Sequence, residues 1–265
     1  MKTRAITGFF FIIVLVCATI FNQYVFAAFF SLVGVFAARE FFVITTTPET
    51  KPLKTVGILI TLGLGLLVSG YFLGLSPLAY LAAIVPLFAL LFISSLYLKR
   101  EKPFHDIAYT ILGICYGTIP FLFFVGLGFL DGSFNFAVPM GFLIMLWAND
   151  TGAYLAGRAF GRTKLFERIS PNKTWEGFIG GILLAVAISL SLQYFYGTLS
   201  RLEWVCIAVI IGAFGTLGDL VESMLKRSLG IKDSGNILPG HGGFLDRFDG
   251  LLMAAPLVYI FLMLI

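Results

Sequence analysis

The feature that most constrains this chain is a series of about nine long apolar runs separated by short polar loops. A helix needs roughly 20 mainly apolar residues to cross the hydrocarbon core of a bilayer. Only 12% of the residues are charged, whereas a soluble domain carries about 25%. We therefore predict an all-α fold, a polytopic transmembrane helical bundle. The expected spans cover about residues 5–21, 24–43, 55–74, 77–98, 107–130, 136–157, 177–197, 203–221 and 250–265.

The basic residues predict the orientation of this bundle. With nine spans, all of the 18 basic residues except Arg201 fall on the side that holds the N-terminus. Cytoplasmic loops carry the excess of Lys and Arg, so we expect a cytoplasmic N-terminus in a bacterial-type inner membrane. Lys2 and Arg4 before the first run are also typical of a signal peptide. We interpret that run as a spanning helix because its removal would spoil the charge pattern.

The polar residues divide the chain into two predicted regions. Residues 1–135 hold about five spans joined by loops with few reactive groups. Residues 136–265 hold the remaining spans and two charged loops, which lie between Asn149 and Asp249. The three cysteines are far apart within apolar runs, so we interpret them as small packing residues. The chemistry is therefore expected in the second region.

The first charged loop follows Asp150, which lies within a predicted span. An ionised carboxylate there is costly unless it meets a cation, a metal or water. The run from residue 170 to 174 is typical of a turn into a helix, with Pro171 at an early helical position. A helix N-terminus attracts anions, and Lys173 adds a point charge for phosphate. Two alternatives stay open: an ion pair of Asp150 with Arg158 or another base, and a basic loop that only contacts lipid headgroups.

The second charged loop joins the last two predicted spans and carries acids on two helix faces. An eighth span that stays helical past residue 221 would present polar residues at i, i+3, i+4 and i+7, namely Asp219, Glu222, Ser223 and Lys226. Asp246 and Asp249 would share a face at the start of the ninth span. Such acids can hold Mg²⁺ while nearby Lys and Arg neutralise phosphate charge. The alternative is a set of salt bridges that only fixes the loop.

His241 lies in a glycine-rich turn of the same loop, at residues 240–243. The glycines allow the backbone to turn tightly and to approach a phosphate closely. The histidine is suited to act as a general base, a phosphate donor or a ligand, and equally to cap the turn. Both interpretations stay open at this point.

The stretch from Ser223 to Asp249 resembles the signature of phosphatidate cytidylyltransferases, also called CDP-diacylglycerol synthases. That signature reads Ser-x-x-Lys-Arg, four residues, Lys-Asp-x-Gly, and then Pro-x-His-Gly-Gly-x-x-Asp-Arg-x-Asp. Every fixed position is met here, by Ser223, Lys226, Arg227, Lys232, Asp233, Gly235, Pro239, His241, Gly242, Gly243, Asp246, Arg247 and Asp249. The runs 150–154 and 170–177 also look like this family, whereas the first five spans resemble it only in length and hydropathy.

The resemblance implies transfer of the cytidylyl group of CTP to phosphatidate, which gives CDP-diacylglycerol and pyrophosphate and requires Mg²⁺. It also implies contact with membrane lipids and no nucleic-acid partner. A second cation and a homodimer both stay open. The alternatives are another lipid-linked phosphotransferase, which would not depend on CTP, and an ion-coupled transporter, which would show substrate-dependent ion flux.

From the two acidic helix faces and this resemblance, we predict roles for thirteen polar residues. The metal ligands are predicted to be Asp219, Asp246 and Asp150. The catalytic residues are predicted to be Lys226, Arg227, Asp249 and His241. The substrate-binding residues are predicted to be Asn172, Lys173, Thr174, Ser223, Lys232 and Arg247.

Overall fold

The apolar runs fold as helices because hydrocarbon offers no partner for an exposed backbone N–H or C=O group. The computed structural model describes residues 2–235 and 242–265. Its helices are α1 (Lys2–Ile20), α2 (Gln23–Ile44), α3 (Lys54–Phe72), α4 (Ile84–Leu96), α5 (Pro103–Gly117), α6 (Ile119–Gly126), α7 (Ala137–Phe160), α8 (Trp175–Tyr196), α9 (Arg201–Ser228) and α10 (Leu245–Leu264). This confirms the predicted all-α class, to which a short β-hairpin is added between α7 and α8.

Helical structure coincides with each predicted span, but not always as one helix. The predicted span at 107–130 is divided into α5 and α6, and Pro120 lies in the first turn of α6. Proline lacks the N–H that would bond to the preceding turn, so the first helix ends there. The predicted span at 77–98 begins as a 3-10 turn, Leu78–Ala83, before α4.

Seven helical segments of the described chain are long and apolar enough to cross a membrane, which makes this a multi-pass membrane protein. They do not include α7, and the part of α1 whose side chains are described, Thr7–Ile20, is a shorter apolar helix. The second half of α7 is too polar because it carries Asn149, Asp150 and Arg158. The nine-span topology and the cytoplasmic N-terminus therefore stay predictions.

The helices pack into two compact units. The first comprises Met1–Gly132 together with Asp233–Arg247, and the second comprises Ser133–Lys232 together with Phe248–Ile265. The sequence predicted a division into residues 1–135 and 136–265. It did not indicate that Asp233–Arg247 packs with the first helices. That segment includes much of the signature, so the two units share the signature residues between them.

Helix α2 is the centre of the first unit and packs against α3, α5 and α6. Its core is aromatic, since the ring centroids of Phe30 and Phe124 lie 4.6 Å apart and those of Phe26 and Phe30 lie 5.2 Å apart. Tilted and edge-to-face rings attract one another beyond what burial alone contributes. The same helix buries one acid, Glu40, of which 3% is exposed.

Helices α7, α8 and α9 form the body of the second unit, and α7 and α8 approach until their backbones touch. A Cβ atom on Gly152 would lie 2.7 Å from the carbonyl oxygen of Gly180, and one on Gly181 would lie 2.5 Å from Asn149 Oδ1. Neither position admits a side chain. Small residues at such contacts are what allow helices to associate in lipid, where burial alone provides little driving force.

We expect Gly181→Val to lower the free energy of unfolding by about 1–3 kcal/mol, because overpacking forces α7 and α8 apart. Ala187→Val is the matched control, since Ala187 lies on the exposed face of the same helix. Thermal unfolding of both purified variants in detergent measures the difference. Equal unfolding midpoints would contradict the close contact between these helices.

Candidate active site

Helix α9 continues to Ser228, beyond residue 221, where the predicted span ended, so the condition for a shared polar face is met. The predicted polar face is therefore formed, by Asp219, Glu222, Ser223 and Lys226. Ser223 Oγ donates a hydrogen bond to Asp219 Oδ1 at 3.3 Å. Lys226 forms an ion pair with Glu222, one turn earlier on the helix. Lysine in the last turn also stabilises the helix, because it faces the negative end of the helix dipole.

Three carboxylates of the second unit converge at this face. Asp219 and Glu222 of α9 and Asp249 of α10 each offer an oxygen, and these oxygens all lie within 4.8 Å of one another. The helices come this close because Gly218 has no side chain, and a Cβ atom there would collide with the Asp249 carbonyl oxygen. Carboxylate oxygens are the ligands that Mg²⁺ prefers, and like charges at this spacing favour a bound cation. The cluster therefore fits the implied metal.

A two-stranded hairpin supplies a lysine to this cluster. Strand β1 (Lys164–Phe166) pairs antiparallel with β2 (Ser170–Thr174). Near the end of β2, Lys173 Nζ lies 2.5 Å from Asp219 Oδ2. One quarter of the Lys173 side chain is exposed, so the ion pair is partly shielded from water. The predicted phosphate-binding lysine and the predicted metal ligand are thus in direct contact.

The structure corrects the predicted start of α8. Pro171 was expected at an early helical position but lies in β2, and the helix begins at Trp175. Thr174 is the N-cap residue, and its Oγ1 accepts a hydrogen bond from Gly177 N at 3.2 Å. An N-cap residue has extended backbone, which here continues the strand, so the run before it is not helical. Lys173 is therefore presented by the end of a strand.

Glu176 anchors the hairpin to the first turn of α8. Its carboxylate accepts hydrogen bonds from the backbone N–H groups of Arg162, at 3.2 Å, and Thr163, at 3.1 Å. Trp175 N also donates to the Thr163 carbonyl oxygen at 3.0 Å. An acid in the first turn of a helix is stabilised by the helix dipole as well. These bonds fix the chain on both sides of the hairpin that carries Lys173.

A cavity of about 570 Å³ lies beside Lys173 and Asp219. Its walls come from α7, the hairpin, α8 and α9, and its charged lining residues are Asp150, Arg158, Lys173 and Asp219. The predicted substrate-binding residues Asn172 and Thr174 also line it. Ligand pockets commonly have about 300–1,000 Å³. The cavity is therefore large enough for a small charged ligand such as a nucleotide.

Asp150 is exposed at the wall of this cavity. The alternative interpretation paired it with Arg158 or another base, and Arg158 Nη1 donates a hydrogen bond to the Tyr154 hydroxyl at 3.4 Å. Asp150 and Lys173 line the same cavity and carry charges of opposite sign. Its predicted role as a metal ligand stays a prediction.

Asp246 lies in the first unit, at the start of α10. Its Oδ2 accepts hydrogen bonds from the backbone N–H groups of Ser234 and Gly243, each at 2.9 Å. It lies three residues before Asp249 in one helix, as the spacing predicted. Its role as a metal ligand also stays a prediction.

The other predicted basic residues lie on the surface. Arg227 and Lys232 are exposed in the second unit, and Arg247 is exposed in the first. Exposed basic side chains are accessible to a charged substrate, so their predicted roles stay predictions. His241 lies outside the described residues.

Buried acids outside the predicted site residues include Glu222 and Glu40. Glu222, 1% exposed, joins the carboxylate cluster, and Glu40 accepts hydrogen bonds from Phe244 N and Leu245 N. An acid inside an apolar helix is costly to bury, so its presence alone signals a specific partner. That signal was available in the sequence for both residues, and neither was assigned a role.

Comparison with known proteins identifies the family of this chain. The model of the cytidylyltransferase family matches residues 2–265, which is nearly the whole chain. The chain belongs to the cytidylyltransferase family. The match includes the hairpin, α9 and α10, which contribute the clustered site residues.

Relatives of this chain include proteins of staphylococci. The chain is 35% identical to the phosphatidate cytidylyltransferase of Staphylococcus aureus (strain COL), over 99% of each chain. It is 42% identical to that of Staphylococcus epidermidis over 171 residues, and 41% identical to that of Staphylococcus haemolyticus over 170 residues. Each of these two matches covers 62% of this chain and 62% of the relative.

We expect Thr174→Ala to lower the free energy of unfolding by about 1 kcal/mol, because it removes the N-cap of α8. Thr174→Ser keeps the hydroxyl group and is expected to behave like the wild type. Thermal unfolding of both variants measures the effect. If Thr174→Ser were as unstable as Thr174→Ala, the hydroxyl would not be the stabilising group.

Proposed function

We propose that this cytidylyltransferase transfers the cytidylyl group of CTP to phosphatidate and forms CDP-diacylglycerol and pyrophosphate. The observation that carries the proposal is the contact of Lys173 with Asp219 beside a cavity of about 570 Å³, next to two further carboxylates. A site for nucleotidyl transfer needs both charges, since acids hold the cation and bases hold the phosphates. The names of the staphylococcal relatives support the choice of phosphatidate as the lipid substrate.

In the proposed reaction, an oxygen of the phosphatidate phosphate forms a bond to the α-phosphorus of CTP. The bond between that phosphorus and the oxygen leading to the β-phosphate breaks, and pyrophosphate leaves with the electron pair. A phosphate monoester is already largely ionised at about pH 7, so the attacking oxygen needs no strong general base. We therefore propose His241 as a hydrogen-bond donor to phosphate rather than as the essential base.

The acids are proposed to form the metal site. Asp219, Glu222 and Asp249 would hold Mg²⁺, with Asp150 at the adjacent cavity wall. Bound Mg²⁺ supplies charge neutralisation at the phosphates of the nucleotide. Asp246, three residues before Asp249, is proposed as a further ligand on the same helix.

The basic and hydroxyl groups are proposed to bind the substrates. Lys173 is the best placed to reach a phosphate, because it lies in the cavity wall and is partly exposed. A cation there would stabilise the charge that develops on the departing pyrophosphate. The remaining phosphate contacts are assigned to Asn172, Thr174, Ser223, Lys226, Arg227, Lys232 and Arg247.

The reaction is proposed to take place at the cytoplasmic face of a bacterial inner membrane. The concentration of basic residues on one side of the predicted topology supports this orientation. CTP is polar and would arrive from the cytoplasm, whereas phosphatidate would enter sideways from the inner leaflet. Basic residues near that leaflet would also attract the anionic lipid.

Transfer of label from α-³²P CTP into lipid by the purified protein tests the proposed reaction. We expect labelled CDP-diacylglycerol that depends on both phosphatidate and Mg²⁺, because the carboxylates need a cation to accept a nucleotide. Removal of Mg²⁺ with a chelator should abolish the product. No product from a folded sample, or a product that forms equally well from another nucleotide, would contradict the proposal.

Asp219→Asn is expected to reduce turnover by at least about 100-fold, because it removes a charge from the metal site and from the pair with Lys173. Asp131→Asn is the matched control, since Asp131 is an exposed acid in a loop. The same labelling assay measures turnover per folded molecule. A folded Asp219→Asn protein with wild-type turnover would rule out the assigned metal site.

A further inference from the structure

Glu40 is a buried acid in the apolar helix α2, and the proposed chemistry gives it no role. Only 3% of the residue is exposed. An ionised carboxylate in such a place is costly unless hydrogen bonds or cations compensate for the lost water. The partners of Glu40 therefore indicate why it is there.

Its carboxylate is bound by the backbone at the start of α10. Oε2 accepts a hydrogen bond from Phe244 N at 2.8 Å, and Oε1 accepts one from Leu245 N at 3.1 Å. Because α10 begins at Leu245, these N–H groups have no carbonyl partner within the helix. A negative charge at this end is also favoured by the helix dipole. Glu40 thus caps α10 from another helix.

Ser234 extends this contact to Asp246. Its hydroxyl donates to Glu40 Oε1 and also lies 2.9 Å from Asp246 Oδ2. A hydroxyl group carries one proton, so it donates to one of the two carboxylates at a time. Backbone N–H groups of Ser234 and Gly243 bind the same Asp246 oxygen. One network therefore joins Glu40 to the chain on both sides of residues 236–241.

The close fit around Glu40 accounts for two glycines of the signature. A Cβ atom on Gly235 would lie 2.9 Å from Glu40 Oε2, and one on Gly243 would collide with Glu40 and with Ser234 Oγ. One turn before Glu40, the ring of Phe36 stacks on that of Phe244 with centroids 5.3 Å apart. Gly235, Gly243 and Phe244 of the signature thus pack closely against α2.

We propose that Glu40 is a positioning residue for cytidylyl transfer, because its carboxylate fixes Ser234 and the first turn of α10 and thereby orients Asp246 and Asp249. The inference rests on the proposed function. Glu40 touches no substrate in this role and acts through Ser234 and two backbone amides. Since Asp246 and Asp249 lie within the first two turns of α10, a shift of the helix start would move both acids.

The test compares Glu40→Gln and Ser234→Ala with the wild type. Glu40→Gln keeps the size of the side chain but places an NH₂ group where an acceptor is needed, so it loses hydrogen bonds to a charged group. We expect turnover per folded molecule to fall about 10- to 100-fold. The Mg²⁺ concentration for half-maximal activity should rise, while the KM for phosphatidate stays within about twofold. Ser234→Ala, which removes only the hydroxyl, should change the same quantities in the same direction but less.

Hydrogen exchange provides a readout that does not depend on activity. The amides of Phe244 and Leu245 should exchange faster in Glu40→Gln than in the wild type, because they lose their acceptor. Glu49→Gln is the matched control, since Glu49 is an exposed acid in the loop after α2. It should match the wild type in exchange, turnover and Mg²⁺ dependence.

The outcomes separate a positioning role from a structural one. If Glu40→Gln lowers only the folded fraction, and turnover per folded molecule and Mg²⁺ dependence are unchanged, the positioning role is overturned. If Glu40→Gln does not fold, Ser234→Ala decides, and unchanged kinetics in that variant overturn the proposal. A wild-type protein that makes no product from CTP overturns the proposed function itself. In that case the exchange measurement still decides whether Glu40 holds this segment.

Discussion

Where α9 passes α10, Gly218 lies so close to the Asp249 carbonyl that no side chain fits between them. The carboxylate cluster depends on this contact, because Asp219 follows Gly218 directly and so meets Asp249 across the helix pair. A comparable contact joins α7 and α8 at Gly152 and Gly181, and α7 and α8 both line the cavity. In lipid, helices gain little from burying apolar surface against one another, so close backbone packing has to supply the association. The glycines of this unit thus bring polar groups together on helices that are otherwise apolar.

Charge balance explains why the cluster favours a cation. Asp219, Glu222 and Asp249 bring three carboxylates together, and two lysines, Lys173 and Lys226, pair with the first two. Asp249 adds a further negative charge, and its Oδ1 accepts a hydrogen bond from Gly250 N at 2.7 Å. Like charges at this distance repel one another unless another cation is present. A divalent ion would relieve this repulsion.

The sequence predicted the parts of the site that follow from helical spacing. The face of α9 was predicted because its polar residues recur every three or four positions in an apolar helix, and the shared face of Asp246 and Asp249 follows from the same rule. The hairpin was not predicted, since its strands are short and Pro171 suits a helix start as well as an edge strand. Helix spacing also gave no means to find the partners of Glu40, which lie about 200 positions later in the chain. Only tertiary contact reveals such a pair.

Glu40 and Glu222 are both carboxylates buried in apolar helices, but different groups compensate for their lost hydration. Glu222 pairs with Lys226 on its own helix, so its charge is balanced locally and the pair moves as one unit. Glu40 is instead compensated by backbone N–H groups of another helix, which cannot follow it unless the start of that helix moves as well. The first arrangement lies within α9, whereas the second couples α2 to the first turn of α10. A buried acid that binds backbone amides therefore constrains geometry more than an ion pair does, which is the property required of a group that orients its neighbours.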